Sequence, residues 1–370
     1  MPRYKLTIAY DGTNFCGWQK QEPYASRVEG VGVAADGGTV YEPSSRPKVP
    51  AIPVGKVVDE LAVREGEDQP RVALRTVQHV VEQAVRQVVR ERVNLDGASR
   101  TDAGVHARGQ CAAFTCTGGS DGVTEGRSDG VKEGNQPLPG PPPAPHGEGD
   151  KHTGWPVSRG VERLVRAING KLPEDVVVMG AEVVRGDFNP VGDATSKAYS
   201  YTIHNARERA MWDRNYVHHI YDALDVAAMQ RAAAHFVGEH DFVAFAAANH
   251  GRLTTVRTVF SCGVTATPIE SVTPGGPLAH AVPGLAPGPL QRVRIDISGS
   301  GFLYNMVRII SGTLVEVGRG RMDADAVPGI IAGLDRRAAG PTLPGRGLCL
   351  EWIRYDKAAQ GHLPGVREFV

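Results

Sequence analysis

The sequence predicts an α+β fold in two domains. Three observations carry this expectation. The chain has 370 residues, enough for two domains. Alternating apolar strands are interleaved with amphipathic helical stretches. A second set of such elements begins near residue 187, after the first has closed. Neither half repeats a strict strand–helix–strand unit, so each should form an antiparallel-leaning sheet with helices on one face. The expected division is 1–186 and 187–356, with 357–370 as a tail.

Residues 3–10, RYKLTIAY, alternate as a half-buried strand does. In 75–92, Val77, Val80, Val81, Ala84, Val85, Val88 and Val89 recur at helical spacing, with Thr76 as N-cap. GQCAAFTC, 109–116, reads as a strand. VERLVRAINGKLP, 161–173, reads as a short helix ended by Gly170 and Pro173, and VVVMGAEVV, 176–184, as a strand. The second half opens with a strand at 197–205, KAYSYTIHN, and a helix at 225–238 stopped by Gly238. Strands follow at 255–266 and 290–299, then helices at 305–318 and 323–334. A strand at 347–355, GLCLEWIRY, closes the chain.

Between these elements lie segments with too little apolar surface to offset the entropy of ordering. They are read as disordered insertions at about 22–74, 118–158 and 268–290. Together they hold sixteen acidic residues against nine basic ones, so the neutral whole conceals a remainder of +7. That balance allows a phosphate-bearing partner without demanding one. No run of 18 apolar residues occurs, so no membrane span is expected. The N-terminus lacks the apolar core of a signal peptide, which points to the cytoplasm. Cys16, Cys111, Cys116, Cys262 and Cys349 fit no zinc spacing and read as reduced thiols. Neither a P-loop nor an HExxH nor a GxSxG motif occurs, and no metal is expected.

Four stretches could carry chemistry. In RTDAGVH, 100–106, Gly104 permits a turn that exposes Asp102, and Arg100 or another cation would keep that carboxylate ionised. The alternative is a surface turn with a local ion pair and a hydrogen-bonded His106. In YDGTNFCGWQKQ, 10–21, Phe15 and Trp18 are either a substrate platform or packing beneath a loop. In the strand of FNPVGDATSKAYSY, 188–201, Lys197, Tyr199 and Tyr201 share one face, suited to a stacked base beside a phosphate or to a structural cluster. In SGSGFLYNMVRIISG, 298–312, Gly299 and Gly301 open a helix, and Asn305 and Arg308 share a face. An arginine among apolar neighbours needs a partner, for which Asp102 is a candidate.

These stretches, in this order and together with GEHDFVAFAA (238–247), SGFLYNMVRIISGTLVEVGRGRM (300–322) and GLCLEWIRYD (347–356), resemble the tRNA pseudouridine synthase A family. The likeness covers nearly all of the chain outside the three insertions. It implies two ferredoxin-like domains whose antiparallel sheets meet around a central RNA-binding cleft. It also implies a cofactor-free isomerase that converts uridine to pseudouridine at positions 38–40 of the tRNA anticodon stem-loop, working as a homodimer. By the same resemblance Asp102 is the catalytic nucleophile, attacking ribose C1′, with deprotonation of C2′ as the alternative role, and Arg308 is its partner, lowering its pKa. Tyr199 contacts the substrate, and Arg100 contacts RNA and helps flip the base. Phe188, Asn189, Pro190, Val191, Gly192 and Lys197 contact tRNA, as does the stretch 247–253.

Two rivals remain at this stage. A non-catalytic RNA-binding protein with ferredoxin-like domains would use the same tyrosines and basic cleft, but binding alone does not need Asp102. A glycosidase-like hydrolase would need a second carboxylate as acid, and none stands out.

Overall fold

The computed structural model describes residues 1–21, 31–33, 39–41, 74–118, 153–247, 254–269 and 290–355. In chain order the elements are β1 (Arg3–Tyr10), β2 (Val31–Val33), β3 (Thr39–Tyr41), α1 (Val77–Val89), β4 (Asp96–Gly97), β5 (His106–Thr115), α2 (Val161–Asn169), β6 (Val176–Val184) and β7 (Ala194–Ala206). There follow β8 (His218–Ile220), α3 (Val226–Ala234), β9 (Gly238–Asp241), β10 (Val256–Pro268), β11 (Leu290–Gly299), α4 (Met306–Gly318), α5 (Val327–Gly333) and β12 (Leu348–Tyr355).

Ten strands make one continuous sheet in the order β6-β1-β5-β12-β7-β11-β10-β9, with β4 beside β5 and β8 beside β7. This is the mixed, mostly antiparallel α/β architecture expected of the sequence. The seam is made by the last strand. β12 runs antiparallel to β7, pairing Leu348 with Tyr201 and Leu350 with Tyr199. Its other edge pairs with β5 in parallel, Cys349 opposite His106.

Alternation sorts the faces. Ala112 and Phe114 of β5 join a large core with Tyr4, Leu6 and Ile8 of β1, Tyr201 and Ile203 of β7 and the apolar stripes of the five helices. Cys111 and Ala113, on the opposite face of β5, pack with Ala98, Val184 and Phe188. No helix among the described residues is long and apolar enough to cross a membrane.

Thr76 caps α1 by accepting the His79 N–H. Elsewhere the boundaries differ from expectation. α3 stops at Ala234 rather than at Gly238, which instead begins β9 at φ +120°. Gly299 and Gly301 do not open a helix. Gly299 ends β11 against the Thr258 carbonyl, and α4 starts only after Asn305. The expected helix at 323–334 begins as a 3₁₀ turn over Ala324–Ala326, with Pro328 in the first turn of α5.

The expected insertions are also smaller than read. β2 and β3 pair antiparallel inside 22–74. Trp155 is buried and takes a hydrogen bond from the Tyr4 hydroxyl on its carbonyl, so it belongs to the core. Residues 22–30, 34–38, 42–73, 119–152 and 270–289, like the tail 357–370, lie outside the described residues. Each segment leaves and re-enters at one backbone hydrogen bond: Leu74 N–H to Gln21 C=O, Trp155 N–H to Thr117 C=O and Ile269 N–H to Leu290 C=O.

Candidate active site

The turn at 98–105 joins β4 to β5 and lies on a bed made by residues 11–18. Trp18 N–H donates to the Thr101 carbonyl, Gly104 N–H to the Phe15 carbonyl, and the Tyr10 hydroxyl meets the Thr101 hydroxyl at 2.8 Å. Gly17, at φ +97°, abuts this turn so closely that a Cβ would stand 2.7 Å from the Thr101 oxygen. From the other side Gly345 packs on Ala103, where a Cβ would also come within 2.7 Å of a carbonyl. Gly104 turns the loop at φ +74° with open space around it. Phe15 and Trp18 are fully covered, so they pack beneath the loop and are not a substrate platform.

Asp102 projects from this turn to α4. Its Oδ2 accepts from Arg308 Nη1 at 2.9 Å, bridging 206 positions of sequence and the two halves of the chain. The guanidinium is held twice more, by Nη1 on the Asn305 side-chain oxygen at 2.7 Å and by Nε on the Leu343 carbonyl at 2.6 Å. Asp102 Oδ1 has no hydrogen-bond partner among the described residues. Burial pushes the Asp102 carboxyl above the ordinary carboxylate value, and Arg308 opposes that shift without cancelling it. Arg308 thus lowers the Asp102 pKa, as expected, but desolvation outweighs that single ion pair.

β7 supplies the neighbouring wall. The Tyr199 hydroxyl meets Ser99 Oγ at 2.7 Å, and its ring packs edge-on against Phe302. Burial raises the phenol to about 12, so it stays neutral. Ser99 is itself clamped by Gln110, whose side-chain amide takes the Ser99 N–H and donates to its carbonyl. Lys197 Nζ donates to the Ala98 carbonyl at 2.6 Å, and the Tyr201 hydroxyl donates to the Pro344 carbonyl. Three side chains of one strand face therefore fasten the loops of the site.

Arg100 is exposed on the rim of a cavity of about 520 Å³ that also touches Gln19, Gln78, Asp96 and residues 186–191. In that segment Phe188 is only 1% exposed, packed against Tyr355, with its carbonyl accepting from Arg3 Nε. Its side chain is an anchor and does not face a ligand. Pro190 is also buried, while Asn189, Val191 and Gly192 are exposed, and Asn189 Oδ1 ties the turn by accepting both following N–H groups. Of 247–253, Ala247 is bonded to the Tyr304 carbonyl and the remainder lies outside the described residues.

Sequence reasoning gave His106 a hydrogen-bonded role, and the geometry agrees. Nδ1 accepts the Gly12 N–H at 3.0 Å, and Nε2 meets the Asn215 carbonyl at 3.0 Å. One acceptor and one donor make a neutral ring, and burial lowers its pKa. What the sequence concealed were the backbone contributors, Leu343 and Pro344, and the Ser99–Gln110 clamp. The PGRG turn at 344–347 was the only signal pointing to part of them.

A tRNA pseudouridine synthase family model matches residues 232–356. A tRNA pseudouridine synthase A from Geotalea uraniireducens is 35% identical over 355 residues, spanning 96% of this chain and 100% of that protein. The chain belongs to the tRNA pseudouridine synthase A family. A Geotalea daltonii tRNA pseudouridine synthase A and a Clostridium perfringens tRNA pseudouridine synthase A 2 are each 32% identical over the same spans. As a family member the protein is an isomerase of the kind that converts uridine to pseudouridine.

Proposed function

We propose that this isomerase acts on uridines 38–40 of the tRNA anticodon stem-loop, with Asp102 as nucleophile. The observation that carries the reading is the Asp102–Arg308 ion pair. One carboxylate oxygen is held, and the other has no partner among the described residues. An ionised Oδ1 attacks ribose C1′ as the C1′–N1 bond breaks, and the uracil takes the bonding electrons. After the base turns, C5 attacks C1′, the carboxylate departs, C5 loses its proton and N1 gains one. Atoms and electrons balance without a cofactor. Tyr199, neutral and edge-packed, borders the base and keeps it from drifting away.

The target lies within a stem, so it must be unstacked at a cost of a few kcal/mol. Arg100, exposed on its cavity rim, suits that task. Lys197 and the exposed Asn189, Val191 and Gly192 fit phosphate or sugar contacts, which would offset the unstacking. With Phe188 buried, the contact shifts to the residues that follow it. We further read the chain as two domains divided near 186, acting as a homodimer in the cytoplasm.

The test follows tritium release from tRNA labelled at uridine C5. The native chain should release it. Asp102→Ala should release none while still binding tRNA, and free uracil as product would instead indicate a hydrolase.

A further inference from the structure

α4 begins at Asn305 in an unusual way. An asparagine at this position ordinarily caps the helix by accepting an N–H from its first turn. Asn305 makes no such bond. Its backbone is left-handed, at φ +61° and ψ +4°. Among the described residues only Arg90 and Leu334 are the other non-glycine residues at positive φ, and both end helices, where that conformation is routine. Asn305 alone adopts it at a helix start. Strain of this kind persists where the surroundings hold it for a purpose.

The side chain released from capping reaches Arg308 Nη1 at 2.7 Å, the same nitrogen that stands 2.9 Å from Asp102 Oδ2. Arg308 Nε is pinned to the Leu343 carbonyl. That single anchor leaves the guanidinium free to pivot about it. A second acceptor on Nη1 removes the pivot and aims the remaining Nη1 proton at the carboxylate. We infer that Asn305 is a positioning residue for the isomerisation, setting through Arg308 the orientation in which Asp102 meets the ribose. This rests on the reading of Asp102 as the reactive carboxylate.

Three variants separate this role from simple support of the helix. Asn305→Gly accepts the left-handed backbone and removes only the acceptor. Asn305→Asp keeps an acceptor but sets a second carboxylate on the guanidinium. Asn305→Ala removes the acceptor and also disfavours the backbone. The groups charged or titrating near Asp102 are Arg308 from α4, Tyr199 from β7, Arg100 and His106 in its own turn, and Arg346 of the facing turn beside Tyr201. Tyr199 stays neutral throughout, and the His106 titration is common to all variants and cancels between them.

Single-turnover pseudouridine formation is measured against pH, with melting temperature and tRNA affinity alongside. Asn305→Gly should lower the rate about tenfold or more, as expected for losing a hydrogen bond to a charged group. Its tRNA affinity and melting temperature should stay near native, and its acidic limb should move to higher pH. Asn305→Asp should move that limb further still while recovering part of the plateau rate. The inference is overturned if Asn305→Gly keeps the native rate and limb, or if all three variants lose rate only in step with melting temperature while the limb stays in place. Asp102→Ala, run in parallel, tests the underlying reading separately, since full activity there would remove the reactive carboxylate itself.

Discussion

Asp11 and Asp102 occupy adjacent turns that pack on each other, and their surroundings are opposite. Asp11 accepts from the Thr13 N–H and hydroxyl, from the Tyr216 hydroxyl at 2.7 Å, and stands 3.2 Å from His106 Nδ1. Burial alone would raise its pKa, but the hydrogen bonds from Thr13 and Tyr216 outweigh that and hold it below the ordinary value. Asp102 has one partner, and burial holds it above. A carboxylate with both oxygens engaged is a structural element. One with a single oxygen engaged and its charged form disfavoured by burial suits the reactive role proposed for it.

Exchanging the two losses is the sharpest way to break this contrast. Asp102→Asn should reduce tritium release by about 10³-fold or more, the scale of removing a group on which the chemistry depends. Because the folded protein disfavours the charged form, this variant should melt no earlier than the native chain, and an early melt would erase the distinction. Next in size is Arg308→Lys, expected to lower turnover by about 10²-fold. An ammonium cannot reach Asp102, Asn305 and the Leu343 carbonyl in one plane as a guanidinium does. Normal turnover in that variant would remove the ion pair from the argument.

Activity should also fall on acidification through an apparent pKa above 3.8, because the proposed attack needs an ionised Asp102 and its pKa is raised. A rate flat to below that value would show that its charge is not needed. Asp11→Asn should do the reverse of Asp102→Asn, lowering stability by about 1–3 kcal/mol with modest effect on rate. A depressed carboxyl stabilises the fold above its unfolded pKa, near 3.8, and loses that contribution as pH falls through its lower folded value. The melting difference between native and variant should therefore be full at neutral pH and shrink in acid. The smallest effect is expected from replacing residues 119–152 by a short linker. Thr117 and Trp155 are already bonded to each other, so turnover should change by less than about twofold.

Sequence patterning reaches some of this and stops for identifiable reasons. β1, α1 and α2 were legible because each has a clean period and its own cap or stop, as with Thr76 and Gly170. β8 and β9 are short and were not foreseen, since only pairing with β7 and β10 makes them strands. The partnership of Asp102 and Arg308 was legible as a chemical need, an arginine among apolar residues and an aspartate wanting a cation. The direction of the Asp102 pKa was not, because it depends on how much water the fold removes. Leu343 was invisible for another reason: it acts through a carbonyl that any residue would supply.

The seam of the sheet has a consequence for how the protein is made. β12 is the last described strand, yet it lies at the centre, between β5 and β7. As the polypeptide leaves the ribosome, both of those strands present bare hydrogen-bonding edges until Leu348–Tyr355 emerges to fill the gap. A nascent chain halted before that point would be vulnerable to sticking edge to edge, and truncation at the far end should harm solubility as much as any lesion in the core.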